Sequence, residues 1–177
     1  MAARSEKSRI AWGLTGAGHF LPEITELIKN IDKVDLFVSR AANEVLKKYH
    51  LEKVLSCGER VFYDRTASSS VVNKLYLGYY RLVVVAPATS NSVAKFVHGI
   101  SDSLVTNLFA HAGKARVPVI VLPSDVTSEL DSRAPGGMVH VYPRQIDLEN
   151  TNSLESFAGT TVVKNSQELE ECLNTYL

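Results

Sequence analysis

Cysteine, net charge and long apolar runs are what this chain most lacks. Cys57 and Cys172 are the only cysteines among 177 residues, and their separation fits no C-x-x-C spacing for zinc, redox or iron–sulfur chemistry. They read as two reduced thiols in a cytoplasmic protein with no iron–sulfur relay of its own. Lysine plus arginine and aspartate plus glutamate balance at 19 each, which leaves no broad basic field for nucleic acid. No apolar run approaches the roughly 20 residues needed to cross a bilayer. The opening "MAARSEKSR" is short and polar, and reads as an arm over residues 1–8 rather than a secretory signal. No histidine–carboxylate set has metal-ligand spacing. Neither G-x-x-x-x-G-K-[ST] nor G-x-S-x-G occurs, which removes P-loop nucleotide hydrolysis and the nucleophile elbow.

What remains is an ordinary globular composition, 45% hydrophobic and 21% charged, at a length that suits one domain over residues 1–177. Short apolar strands alternate with amphipathic helical stretches. The expected strands are Ile10 to Leu14, "VDLFVS" (34–39), "RLVVVAPA", "VPVIVLP", "MVHVYP" and a weak "TVV" (161–163). Between them, helical spacing aligns Phe20, Ile24, Leu27 and Ile28, then Ala42, Val45, Leu46 and Tyr49. A helix is expected over 69–80, and another presenting Val93, Phe96, Val97 and Ile100 to the core, capped by Ser90 or Asn91. Ser101 or Asp102 is expected to cap the next helix. A closing helix groups Leu169, Cys172, Leu173 and Leu177. Residues 51–68 show no element beyond a turn at Cys57-Gly58. This alternation predicts an α/β fold: a three-layer, Rossmann-like (flavodoxin-like), doubly wound sheet, mostly parallel, of about six strands.

Ligands of such sheets bind beyond the carboxyl ends of the strands, where strand order reverses. The strand exits read "TGAGHF", "SRAA", "APATSN", "LPSD" and "YPR". Three carry permissive or hydroxyl residues directly before a helix, whose free amides and positive dipole end favour an anion such as phosphate. The first exit lacks the G-x-G-x-x-G spacing, and Ser39-Arg40 stands where an acid would grip a dinucleotide ribose. Its glycines either make only a tight turn or admit a phosphate, with Arg40 a second candidate for that group. Residues 123–137 read equally as a mobile lid over substrate or as a solvated loop. Arg144 either touches ligand or forms a surface ion pair with Asp147. His19, just past the glycine loop, is a candidate hydrogen-bonding group. His98 and His140 are expected to be structural, His50 and His111 to lie at the surface.

Pro87-Ala88-Thr89-Ser90-Asn91-Ser92 resembles the "PASANT" segment of the homo-oligomeric flavin-containing Cys decarboxylase superfamily. The following "AKFVHGISDSLVTN" resembles that family's "AKIANGIADNLLT", and "GLTGAG" its first phosphate-side loop. The resemblance covers most of residues 9–123. It implies bound FMN, with Thr15, Gly16, Ala17 and Ser39 towards the ribityl phosphate, Arg40 beside them, and Ala88, Thr89, Ser90 and Asn91 nearer the ring. Uncharged donors there stabilise the negative charge of a reduced flavin. Helix capping by Ser90 or Asn91 is compatible with that contact. His19, Asp125 and Arg144 fall to the substrate or lid side.

The departures from the family pattern are as informative. Its decarboxylases carry a histidine in the helix before the central strand; that place falls near Asn73. Their P-x-M-N-x-x-M-W clamp is replaced by Pro123-Ser-Asp-Val-Thr-Ser-Glu-Leu130, without the asparagine or tryptophan. "LPSD…PGGM…YPRQIDLENTNSL" resembles the archaeoflavoprotein and dihydromethanopterin reductase branch instead. That branch implies an oxidoreductase taking electrons from ferredoxin, NAD(P)H or reduced flavin and passing them to a small acceptor such as a dihydropterin. It also implies a homotrimer or a multiple of trimers, with flavin at subunit boundaries. An electron carrier without its own substrate is the alternative, and a decarboxylase or flavin prenyltransferase follows behind.

Overall fold

The computed structural model describes residues 9–65 and 70–177; the expected arm at 1–8 and the start of the expected helix at residue 69 lie outside them. Six parallel strands form one sheet in the order β3-β2-β1-β4-β5-β8. They are β1 (Arg9–Leu14), β2 (Val34–Val38), β3 (Arg60–Tyr63), β4 (Tyr80–Ala88), β5 (Val119–Pro123) and β8 (Thr160–Val162). The remaining strands, β6 (Leu130–Ala134) and β7 (Gly137–Val141), pair antiparallel as a separate hairpin. The helices are α1 (Leu21–Lys29), α2 (Arg40–Lys48), α3 (Ser90–Val97), α4 (Leu104–Ala115), α5 (Gln145–Leu154) and α6 (Ser166–Asn174).

Side-chain alternation divides the core into two layers, as a sheet covered on both faces requires. Ile10, Trp12 and Leu14 point towards α1, α2 and α6, among Ile24, Ile28, Leu46 and Leu169. Ala11, Val83 and Val85 point the other way, among Val93, Leu108 and Leu154 of α3, α4 and α5. Gly13 permits α4 to lie close, since a β-carbon there would sit 3.0 Å from Val105 Cγ1. The Trp12 indole N–H donates to the Ala86 carbonyl at 2.8 Å, so the largest core side chain also satisfies its polar atom. At the foot of the sheet, buried Asp35 accepts from Arg9 at 2.8 Å and from the Tyr80 hydroxyl at 2.9 Å. Burial, with that carboxylate beside it, pushes the Tyr80 pKa well up.

Several local expectations change. The indistinct 51–68 stretch contains β3, an edge strand whose residues are only half covered and so show no apolar run. Residues 70–75 form a 3-10 turn rather than a helix to residue 80, because β4 already begins at Tyr80. "MVHVYP" joins the hairpin, not the main sheet. The α3 cap is Thr89, whose side chain accepts from the Ser92 amide; the α4 cap is Ser103, in a reciprocal arrangement with Thr106. Ile100 lies beyond the end of α3 and is exposed. His98 is exposed too, not core-facing, and Cys57 and Cys172 are unbridged.

Candidate functional site

The strand order reverses between β1 and β4, so the crevice expected of this topology opens at their carboxyl ends. Thr15 stands at that point with 2% of its surface exposed. Its hydroxyl donates to the Pro87 carbonyl at 2.7 Å and accepts from the Thr89 amide at 2.9 Å. One side chain thereby clasps the loop after β1 to the loop after β4. The residues that follow it are unusual. Among the described residues, the backbone amides of residues 16–20 have no acceptor, even though Ala17 is buried. Buried amides are ordinarily paired, so an unpaired row at a helix start suits an anion or an acceptor-rich ligand. The α1 cap position, Phe20, adopts φ 64° and makes no side-chain cap bond.

Gly16 and Gly18 hold this loop against α2. A β-carbon on Gly16 would lie 2.6 Å from that of Ala41, and one on Gly18 would collide with the Tyr49 hydroxyl. That hydroxyl donates to the Arg133 carbonyl at 2.9 Å, pinning the β6–β7 hairpin beside the glycine loop. Residues 123–137 are therefore part loop, part strand, and tethered. Tyr49 was expected only on an apolar helix face; nothing local signals its polar end.

The second side of the crevice comes from β4 and α3. Ala88 is buried, and its carbonyl accepts from the Ser124 amide at 2.8 Å. Thr89 caps the helix, which leaves the amides of Ser90 and Asn91 without acceptors among the described residues. The Ser90 hydroxyl donates to the Asp125 carboxylate, tying the β4 exit to the β5 exit. The Thr151 hydroxyl supports the Asp125 carbonyl from α5 at 3.1 Å, a role without a motif. Asn91 is exposed and free to face a ligand.

Ser39 caps α2 by accepting from the Ala42 amide at 3.0 Å. Arg40 donates to the Asp64 carbonyl at 3.1 Å and, with Ser39, lines an open cavity of about 480 Å³ above β2 and β3. Arg144 turns its guanidinium onto Asp147 through two bonds of 2.7 and 2.8 Å, so the ion pair with Asp147 is formed. That guanidinium holds the Asp147 carboxyl below its ordinary range. His19 is half-buried, with its ring 3.9 Å from that of Phe20. Burial lowers its pKa, against the opposing charges of Glu23 and Asp125. The imidazole is therefore neutral at pH 7. His140 pairs with Asp131 on the hairpin and lies outside the crevice.

The crevice is thus a cradle of amides and hydroxyls, with the His19 imidazole after β1 and the Asp125 carboxylate after β5 beside it. Its unpaired amides suit an anion such as a phosphate and a ligand rich in acceptors.

Comparison with known proteins agrees. The family model described as Flavoprotein matches residues 2–175. The chain is 38% identical to the uncharacterized protein MJ0730 of Methanocaldococcus jannaschii over 178 residues, covering 93% of this chain and 94% of that one. It is 44% identical over 141 residues to a protein of Methanosarcina mazei named dihydromethanopterin reductase (acceptor). That match covers 72% of this chain but only 59% of the reductase's length. Among solved structures, DmrB of Burkholderia xenovorans in complex with FMN, described as a cubic protein cage for redox transfer, superimposes with a TM-score of 0.87. The identity is 43%, with 96% of this chain and 94% of that one covered.

Proposed function

The chain belongs to the Flavoprotein family, and from that premise we propose that it is an FMN-dependent oxidoreductase that passes electrons to a small acceptor, with a dihydropterin such as dihydromethanopterin the favoured class. The carrying observation is the Thr15 clasp at the switch point, with the unpartnered amides of residues 16–20 beside it. The likeness to FMN-bound DmrB across nearly the whole chain supports the same reading. FMN bound in the crevice supplies a carrier that accepts electrons from one molecule and releases them to another.

The protein's own residues divide the work of holding it. Thr15, Gly16 and Ala17 offer amides to the ribityl-phosphate end, helped by the α1 dipole, with Ser39 and Arg40 beside them. Ala88, Thr89, Ser90 and Asn91 offer amides and small polar side chains to the ring edge. His19 and Asp125 face the space left for donor and acceptor, where a carboxylate and a neutral imidazole orient polar groups of either. The electron donor is a ferredoxin-type protein, NAD(P)H or reduced flavin, in keeping with two well-separated cysteines that offer no iron–sulfur ligand set.

The chain assembles with copies of itself, as trimers or multiples of trimers. Exposed Met138, Val139 and Tyr142 on and just after the hairpin, with Ile146 on α5, supply apolar area for such contact. The share of the Methanosarcina reductase left unmatched favours a second reading, in which this chain carries flavin electrons without a substrate of its own. Purified protein is expected to be yellow, to bleach on anaerobic reduction and to reoxidise with dihydropterin. Bleaching without dihydropterin turnover selects the carrier. Colourless protein that takes up no FMN overturns both.

A further inference from the structure

The molecule has a second concavity at the opposite end of the sheet. A cavity of about 660 Å³ opens at the foot of β5 and β8, bounded by Val117, Val119 and Thr160. The length of β5 separates it from the crest, about 13 Å at the usual rise per strand residue. Its wall is aromatic: Phe96 and Phe109 stack with centroids 4.2 Å apart and planes 16° apart, and Phe157 tilts towards Phe109 at 6.4 Å.

Three glycines border this space, Gly99, Gly113 and Gly159, and a β-carbon on any of them would meet nothing within 4 Å. Gly99 and Gly159 have φ of +68° and +76°, so backbone conformation explains them. Gly113 has no such reason. It lies inside α4, where glycine costs about 1 kcal/mol relative to alanine, and no neighbour crowds it. What its missing side chain does is keep the mouth of the cavity open. Cations border the same opening. Lys95 is held by Asp102 at 2.7 Å, but Lys114 and Arg116 have no carboxylate partner among the described residues.

We infer that this cavity is a second ligand site, independent of the flavin reading, for a small amphipathic anion: a planar aromatic or short apolar body carrying a carboxylate, sulfonate or phosphate. Its volume falls in the range of small-molecule sites, and apolar walls with a few charged groups at one edge are their usual chemistry. The apolar body lies along Phe96, Phe109 and Phe157. The anionic group meets Lys114 and Arg116, whose charges have no competing internal partner.

The test is calorimetric titration of the intact, FMN-loaded protein with naphthalene-2-carboxylate and, separately, with the uncharged naphthalene-2-carboxamide. Saturable binding of the carboxylate at one per chain is expected, about fivefold tighter than the amide. Gly113→Leu fills the mouth and should abolish both while leaving flavin absorbance unchanged. Arg116 occupies a left-handed position (φ 54°), which asparagine tolerates. Arg116→Asn with Lys114→Gln should therefore bring the carboxylate down to the affinity of the amide without disturbing the fold. Should Gly113→Leu fail to fold, this double variant decides alone. Absence of saturable binding, unaltered binding to Gly113→Leu, or equal affinity for acid and amide overturns the proposal. So does a Gly113→Leu protein of smaller assembly size by light scattering, which would assign the cavity to contact between copies.

Discussion

Replacing Thr15 by valine tests the clasp at the crest most directly. Valine has nearly the shape of threonine, so the substitution removes chemistry without opening a cavity. Two partners are stranded: the Pro87 carbonyl, bonded at 2.7 Å, and the Thr89 amide, bonded at 2.9 Å. A buried polar group left unsatisfied costs about 1–3 kcal/mol, so the pair should cost about 3 kcal/mol. In a domain of this size, 1 kcal/mol moves the melting temperature by about 2–4 °C, which predicts a fall of about 6–12 °C. Thr15→Ser keeps both bonds and loses one methyl group, worth about 1 kcal/mol, so it should fall by about 3 °C. Thermal melts of flavin-free protein at one fixed chain concentration read this difference, because self-association also shifts melting. Flavin titration by fluorescence quenching reads the second consequence. With the two loops unclasped, FMN binding to Thr15→Val should weaken about tenfold, equivalent to about 1.4 kcal/mol, and Thr15→Ser should bind as wild type. A valine variant that melts within about 3 °C of wild type refutes the clasp. One that loses stability but keeps full flavin affinity refutes its part in shaping the site.

Gly16→Ala should lower stability by about 1–3 kcal/mol, since its β-carbon would lie 2.6 Å from that of Ala41; chemical denaturation checks this, and an unchanged midpoint counts against the packing. Arg144→Gln should leave flavin affinity unchanged, because the exposed guanidinium is turned onto Asp147; a tenfold weaker flavin complex would show that Arg144 meets the ligand as well. His19 has a folded pKa below the ordinary 6.5, so the unfolded chain binds the proton more readily. Its contribution to stability is full above about pH 6.5 and declines as pH falls below that value. His19→Gln should therefore lose less melting temperature between pH 6.5 and 5 than wild type does, and an identical decline sinks the assignment.

Most of the sheet was legible because parallel strands buried on both faces must be apolar throughout. Val83, Val84 and Val85 announce β4 in a way that no amphipathic helix would imitate. The edge strand β3 escaped notice for the converse reason. Arg60 and Tyr63 face solvent while Val61 and Phe62 are half-covered, so neither periodicity nor an apolar run emerges. "MVHVYP" has strand chemistry but reveals nothing about its pairing partner, which is the nearby Leu130–Ala134 segment rather than a distant strand. At the crest, the residue types were readable and their connections were not. That Thr15 joins Pro87 across 72 positions, or that Ser90 reaches Asp125 across 35, follows only from how the sheet is wound. Helix caps failed by one or two places because Thr89, Ser90, Asn91, Ser101, Asp102 and Ser103 are all competent capping residues, and tertiary geometry chose among them.

The crest separates holding from titrating. Amides of residues 16–20 and of Ser90 and Asn91 carry no proton that leaves between pH 5 and 9, so the protein side of the grip keeps the same charge over that range. A lysine clamp would be stronger, but it would also impose full positive charge beside the redox ring and raise its potential indiscriminately. Dipoles fixed by Thr15, Thr89 and the glycine loop apply a weaker field whose direction is set by the backbone. The group whose charge does respond to protons, the half-buried His19 imidazole, stands at the end of the glycine loop, where burial lowers its pKa against the opposing charges of Glu23 and Asp125. On this arrangement pH should change turnover with donor and acceptor far more than it changes FMN affinity, and the two profiles measured on one preparation should diverge below about pH 6.5. Parallel profiles would mean that His19 belongs to the cradle itself.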